Sequence, residues 1–334
     1  MPARSQYRLR ARASVALFLL AALPVVGCAR RDATATWPSA PVRLVVPFGA
    51  GASTDLAARL IAPRLARRWG KPVVVDNRPG GDGMAGAQAF VTAQDPNSLL
   101  FSPLGIVTTN PLLHARLPFD PDADLMPVAG VVSTGITVAV SSSFGASSLA
   151  ELSAISRGRR APLLWSATAG LPELVGRALL ATAKIDARYV PYAELASAVR
   201  DLSVGRLEML VTALPTVAVA RGTQRVRLLA VATAERSPSA PDVPTLREAG
   251  YPTLTVEGPQ GLFGGRGMDS ALRARIATDV AAVIAEPALR AQLDRIGFAA
   301  GASTAEAFAS AIRAQRVKAR AFLTLAGGIE KLRR

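Results

Sequence analysis

The chain has 334 residues, of which half are hydrophobic and 19% are charged, and 39 Lys and Arg against 24 Asp and Glu give a net charge of +15. At roughly 100–200 residues per domain, this length predicts two domains, and the composition excludes bulk disorder. A single Cys and a single His exclude a disulfide framework and a His/Cys metal cluster. We therefore expect no metal and no cofactor.

The N-terminus predicts an export signal over residues 1–27. Four arginines precede an apolar run of about 14 residues, which is shorter than the ~20 that cross a bilayer. Cys28 follows Gly27 at the end of this run, as in a bacterial lipobox, and is predicted to be lipidated; ordinary cleavage nearby is the alternative. Residues 28–40 are predicted to be a tether. We thus expect a periplasmic protein that is held at a membrane by Cys28.

Strand and helix patterns alternate along the rest of the chain. This alternation predicts an α/β fold with mostly parallel sheets. Short apolar runs predict strands at 42–46, 73–75, 99–102, 137–140, 163–166, 188–190, 207–212 and 227–232. Helical spacing predicts helices at 54–69 with a kink at Pro63, and at 148–157, 172–183, 195–204, 270–284, 287–296 and 304–325.

A loop of small residues over 49–55 lies between the first strand and the first helix, where Thr54 is a candidate cap. Small residues let a ligand approach the backbone, and the free amides of a helix start favour an anion. The loop lacks the Gly-Lys-Ser/Thr of a P-loop and the spacing of a dinucleotide fingerprint. A tight turn with a helix cap and no ligand is the alternative interpretation.

The stretch 76–83 contains several turn-forming residues and predicts a structured loop, in which Asp76 and Arg78 are candidates for an ion pair. For this loop the sequence favours a structural role over direct ligand contact.

Catalytic and nucleic-acid-binding functions find little support in the sequence. His114 has no nearby nucleophile or orienting acid in a known catalytic arrangement. The arginines are scattered and only 5% of residues are aromatic, which does not fit a nucleic-acid interface. We therefore expect neither an enzyme nor a nucleic-acid partner.

Eight short segments follow one another in a set order along the chain. The most specific reads VVVDNRPG, from Val73 to Gly80. The others cover residues 37–48, 54–59, 119–128, 190–192 with 201–205, 229–233, 236–245 and 248–250. Together they resemble the Bug-type periplasmic substrate-binding proteins of tripartite tricarboxylate transporters.

The resemblance implies two Rossmann-like lobes joined by crossing strands, as in type II periplasmic binding proteins. Lobe 1 is expected over 41–139 and 258–334, and lobe 2 over 140–257. The lobes would close on a small carboxylate, and the partners would be integral-membrane transporter subunits, with the receptor itself a monomer. Two loops would hold the ligand, and Tyr192 would cover it or form a hydrogen bond with it. The implied ligand-binding residues are Gly49, Gly51, Ser53, Thr54 and Asp55 in the first loop, and Ser166, Thr168 and Gly170 in the second.

Several positions depart from the family pattern. Ala167 and Ala169 stand where glycines are typical, and residues 102–107 are largely apolar. Thr212-Ala213 replaces the usual acidic/Asn pair, and Ala193-Glu194 replaces the usual Lys/Arg-Gly. This loss of polarity predicts a ligand with a carboxylate end and an apolar remainder. A ligand sensor without transport and a paralogue that binds nothing are the alternative functions.

Overall fold

A mixed sheet of ten strands runs through the part of the chain that the computed structural model describes, residues 37–192 and 194–328. Its main path is β2-β1-β3-β9-β4-β7-β5-β6, and β8 and β10 both pair with β4. The strands are β1 Val42–Val46, β2 Val73–Asn77, β3 Ser98–Pro103, β4 Met126–Ser141, β5 Leu163–Ala167, β6 Ala187–Tyr189, β7 Met209–Ala213, β8 Val226–Val231, β9 Glu257–Gly264 and β10 Phe298–Ala300.

Eleven α-helices among the described residues cover this sheet. The helices are α1 Ser53–Trp69, α2 Met84–Ala93, α3 Gly105–Thr108, α4 Asn110–Leu113, α5 Leu149–Arg157, α6 Leu171–Ala183, α7 Leu195–Ser203, α8 Leu214–Gly222, α9 Ser270–Ile284, α10 Pro287–Arg295 and α11 Ala305–Leu325. The α/β class is confirmed.

The sheet has two parallel groups of strands that antiparallel strands join. β1 pairs in parallel with β2 and β3, and β5 pairs in parallel with β6 and β7. The other five pairings are antiparallel and involve β4 or β9. The prediction of mostly parallel sheets is therefore wrong for the centre, where β4 connects both groups. The expected lobe boundaries fall within β4 and at the first residue of β9.

The structure differs from the predicted elements at several places, and the reasons lie in the local sequence. β9 and the first half of β4 contain Gly and Pro, which weaken a strand signal, and neither was predicted. The short or Gly-containing helices α2, α3, α4 and α8 were also missed. α1 begins at Ser53, with Ala52 rather than Thr54 at the cap position, and it continues through Pro63 as one helix.

Each sheet half packs its own apolar core. Val42, Leu44 and Val46 of β1 face one core together with Ile61 and Leu65 of α1, all nearly inaccessible to solvent. Fully burying one such side chain contributes about 1.5–3 kcal/mol. The second core forms around Trp165, Leu174 and Val211. These cores hold the strand ends and helix starts of each half in place.

Cys28, the predicted signal peptide and most of the predicted tether lie outside the described residues. Within the described residues, every helix is too short or too polar to span a bilayer.

Candidate functional site

A cleft forms where strand ends and helix starts from both sheet halves meet. Its inner part is lined by the starts of α1, α3, α6 and α8 and by segments of β4 and β9. A wider outer part shares Phe48, Asp82, Thr168 and Leu195 with the inner part. The two parts therefore form one continuous cleft.

The β1–α1 loop supplies one wall of this cleft. Gly49 lines the outer part, while the largely buried Ser53 and Thr54 line the inner part. Gly51 has φ +81°, a conformation that glycine adopts without strain, and turns the chain into α1. The first amides of a helix have no acceptor within it and carry a partial positive charge. The 17-residue α1 thus points its positive end at the cleft.

Gly51 and Asp55 do not line the cleft. They hold the β1–α1 loop in position through hydrogen bonds. The Asp55 carboxylate accepts hydrogen bonds from the Gly51 amide at 2.9 Å and from Asn77 Nδ2 at 3.0 Å. Arg59 Nε lies 2.9 Å from Asp55 Oδ1. Burial raises the pKa of Asp55, but the hydrogen bonds from Arg59, Gly51 and Asn77 outweigh burial and set the pKa below its usual value. Asp55 is therefore a charged residue that stabilises the β1–α1 loop.

The β5–α6 loop supplies the facing wall. Ser166 and Thr168 line the outer part of the cleft, and Thr168 and Gly170 line the inner part. Thr168 is held by its amide, which donates to Val211 O at 3.0 Å, and by its hydroxyl, 2.7 Å from that of Thr212. Gly170 has φ +90° and directly precedes α6. A second helix start therefore faces the same cleft.

The β5–α6 wall comes close to the start of α3 at the inner end of the cleft. A Cβ built on Gly105, at the start of α3, would lie 3.8 Å from the Cα of Gly170. This is ordinary van der Waals distance, so the inner cleft is narrow and suits a small ligand.

Tyr192 lines the outer cleft, but its hydroxyl group is already engaged. The hydroxyl donates to Asp201 Oδ2 at 2.9 Å. Burial, together with the hydrogen bond and the charge of Asp201, raises the pKa of Tyr192 to about 12. Tyr192 therefore stays neutral at physiological pH and presents its ring to the cleft.

Acidic side chains are the only charged ones among the described residues that line the cleft. These are Asp82 and Glu194, both in the outer part, and Asp82 also reaches the inner part. His114 Nε2 lies 2.8 Å from Asp82 Oδ2. With no lysine or arginine among the described lining residues, helix starts, amides and hydroxyls supply the positive potential. No group of three or more His, Cys, Asp or Glu within the described ranges is placed to hold a metal ion.

The sequence patterns do not predict the part of the cleft lining that β4 and β9 supply, although residues of the expected segments 102–107 and 212–213 do line the inner part. Thr134 and Ile136 of β4 and Gly258, Pro259 and Gln260 of β9 all line it. The loop at 76–83, interpreted as structural, also lines the outer part through Asn77 and the residues from Pro79 to Gly83. Arg78 Nε does pair with Asp76, at 3.0 Å. No local signal pointed to β9, because its contacts are with strands more than a hundred residues away.

Comparison with known proteins is consistent with this architecture. A family model described as tripartite tricarboxylate transporter family receptor matches residues 57–327. A UPF0065 protein of Bordetella bronchiseptica is 31% identical over 292 residues, which cover 87% of each chain. The structure of R. palustris Rpa4515 with adipate is 29% identical with a TM-score of 0.83, covering 87% of this chain and 98% of that one. MatC from Rhodopseudomonas palustris with bound malate is 25% identical with a TM-score of 0.78, covering 87% and 100%.

Proposed function

Because the chain belongs to the tripartite tricarboxylate transporter receptor family, we propose that it captures a small carboxylate in this cleft for a membrane transporter. One observation carries the proposal: the starts of α1 and α6, from opposite sheet halves, line the same narrow cleft. Two similar structures, with adipate and with malate, hold carboxylates.

The chemistry of the cleft walls suits a carboxylate. Each helix start offers amides whose partial positive charge favours an anion by about 0.3–1 kcal/mol, and more where water is excluded. The Ser53, Thr54 and Thr168 hydroxyls add donors at the same place. A carboxylate has two oxygens with about four acceptor sites, so it accepts from both walls at once.

The inner cleft favours an apolar remainder on the ligand. Leu104, Ile106, Ile136, Leu171 and Pro259 line it. A second or third carboxylate placed against these side chains would lose its hydration without gaining a charged partner. This supports a ligand with one carboxylate end and an aliphatic or aromatic body.

Ligand capture needs no chemical step. We propose two lobes, over 41–139 with 258–334 and over 140–257, that close on the ligand about β4 and β9. Closure shifts an equilibrium that exists without ligand, to the extent that the closed state binds more tightly. In this proposal Tyr192 covers the ligand, and Gly51 and Asp55 support the β1–α1 loop. The residues that contact the ligand are Gly49, Ser53, Thr54, Ser166, Thr168 and Gly170. The receptor has no enzymatic activity.

The location of the receptor follows from the predicted N-terminus. We propose that residues 1–27 direct export to the periplasm and that lipidated Cys28 holds a monomeric receptor at the membrane, beside the integral-membrane transporter subunits. Mass spectrometry of the protein isolated from membranes tests the lipid. An unmodified Cys28, or cleavage at another position, would contradict it.

A thermal-shift screen of the mature protein against aliphatic, aromatic, di- and tricarboxylic acids tests the binding function. A ligand at 100 times its Kd stabilises the folded state by about 2.7 kcal/mol. We expect monocarboxylates with apolar bodies to raise the melting temperature. The Thr168→Val variant should bind them more weakly than the exposed control Thr278→Val. If no acid of the panel changes the melting temperature, the binding function is refuted. If citrate alone changes it, the proposal that the ligand has an apolar remainder is refuted.

A further inference from the structure

Gln260, which lines the inner cleft, has one buried hydrogen-bond acceptor without a partner. The side chain is in the middle of β9 and is only 2% exposed. Its Nε2 donates to Ser53 Oγ at 3.0 Å, whereas its buried Oε1 has no hydrogen-bond partner among the described residues. Native proteins rarely leave a buried acceptor unmet, and those that do often have a functional reason.

The position of this acceptor relative to the proposed carboxylate is defined by Ser53. Ser53 is the first residue of α1, and its oxygen accepts from Gln260, so its hydroxyl proton is available to the cleft. The pair therefore presents one donor and one acceptor side by side. A carboxylate at the start of α1 takes the donor and leaves the acceptor to a neighbouring group on the same ligand.

Two other polar side chains around the inner cleft are engaged elsewhere, while the buried Thr216 hydroxyl, like Gln260 Oε1, has no hydrogen-bond partner among the described residues. Gln315 accepts from Thr108 Oγ1 at 2.9 Å and donates to Glu257 O at 3.3 Å. Thr134 donates its hydroxyl to Gly135 O at 3.2 Å. Neither side chain donates to Gln260, so the missing donor comes from whatever occupies the cleft.

We propose that Gln260 is a specificity-determining residue that selects carboxylates bearing a hydroxyl close to the carboxylate group. The ligand hydroxyl donates to Gln260 Oε1 while Ser53 donates to the carboxylate. The apolar body continues toward Leu104 and Ile106. This inference rests on the proposed function and adds a hydroxy acid as the substrate class.

The test compares acids that differ by one hydroxyl, such as 2-hydroxyhexanoate with hexanoate and mandelate with phenylacetate. Calorimetry gives Kd for each acid with the wild type and with Gln260→Met, which keeps the side-chain length without the amide. We expect the wild type to bind each hydroxy acid about tenfold more tightly than its partner. In Gln260→Met this ratio falls to about one, through weaker binding of the hydroxy acid.

One further variant separates specificity from folding. Gln315→Met removes an amide whose two ends already have protein partners, and it should leave the ratio unchanged even if it lowers the melting temperature. Unliganded Gln260→Met loses the buried hydrogen bond to Ser53 together with the unmet acceptor, and because these two effects oppose each other its melting temperature should stay close to that of the wild type.

Equal wild-type affinity for both members of each pair would overturn the proposal, because water would then satisfy Oε1. A wild-type preference for the acid without the hydroxyl, lost in Gln260→Met, would also overturn it, because the amide would then present its nitrogen to the ligand. A wild type that binds none of these or other carboxylates would refute the proposed function itself, whereas binding without discrimination refutes only the role of Gln260.

Discussion

Replacing Asp55 by Asn tests whether this carboxylate supports the β1–α1 loop. The substitution keeps the size of the side chain but removes its charge and one of its two acceptor oxygens. In the wild type, these oxygens accept from the Gly51 amide, from Asn77 and from Arg59. In the variant, the new NH2 group faces at least one of these donors.

The magnitude follows from the exposure of each partner. A hydrogen bond to a charged group contributes about 1.5–3 kcal/mol when buried. Arg59 is 55% exposed, so its pair with Asp55 contributes about 0–1 kcal/mol after solvent screening. The exposed Gly51 amide regains water, which leaves Asn77 as the main loss. We expect a total of about 1.5–4 kcal/mol, which lowers the melting temperature of a chain of this length by roughly 2–6 °C.

The effect depends on pH in a defined direction. The pKa of Asp55 in the folded protein lies below 3.8, its ordinary value, so the charged form stabilises the fold. This stabilisation is complete above the unfolded pKa and disappears as the pH falls through the folded pKa. The melting-temperature gap between wild type and Asp55→Asn should therefore stay constant from neutral pH down to about 4 and close at lower pH.

Circular dichroism melts across this pH range, together with calorimetric binding, provide the assay. Asp186→Asn is the control, because Asp186 is exposed and its side chain has no hydrogen bond or ion pair among the described residues. If Asp55→Asn keeps the wild-type melting temperature at neutral pH but binds no carboxylate, the role of Asp55 in supporting the loop is refuted. Asp55 would then act on the ligand directly.

Two more substitutions test the facing wall and the outer cleft. Gly170→Ala places a side chain at φ +90° and should destabilise the protein by about 1–3 kcal/mol and weaken binding, as melts and calorimetry will measure. Gly301→Ala, which meets open space, is the control, and equal stability of the two would argue against strain. Tyr192→Phe loses the bond to Asp201 and about 1 kcal/mol of stability but should keep its Kd; a much weaker Kd would place the hydroxyl on the ligand.

Sequence patterns by themselves determined the local elements of this protein. The predicted bounds of β1 and α9 match the structure, because apolar runs and helical spacing act over a few residues. The small residues before α1 indicated an anion-binding loop or a plain tight turn, because such residues between a strand and a helix start have a local meaning. The loop before α6 was implied only by the family resemblance, and both loops line the cleft. The motif order along the chain supplied the family.

Only the tertiary structure decided how these pieces combine. The pairing of Leu100 with Phe263 joins β3 to β9 across more than 160 residues, and no local pattern encodes such a partner. Asp55 of α1 supports the β1–α1 loop because Asn77, at the end of β2, came within hydrogen-bond distance of it. Gln260 entered the site because folding brought it to Ser53, 207 residues away in sequence. Hydrogen-bond geometry between distant residues is a property of the packed chain, and a linear pattern does not contain it.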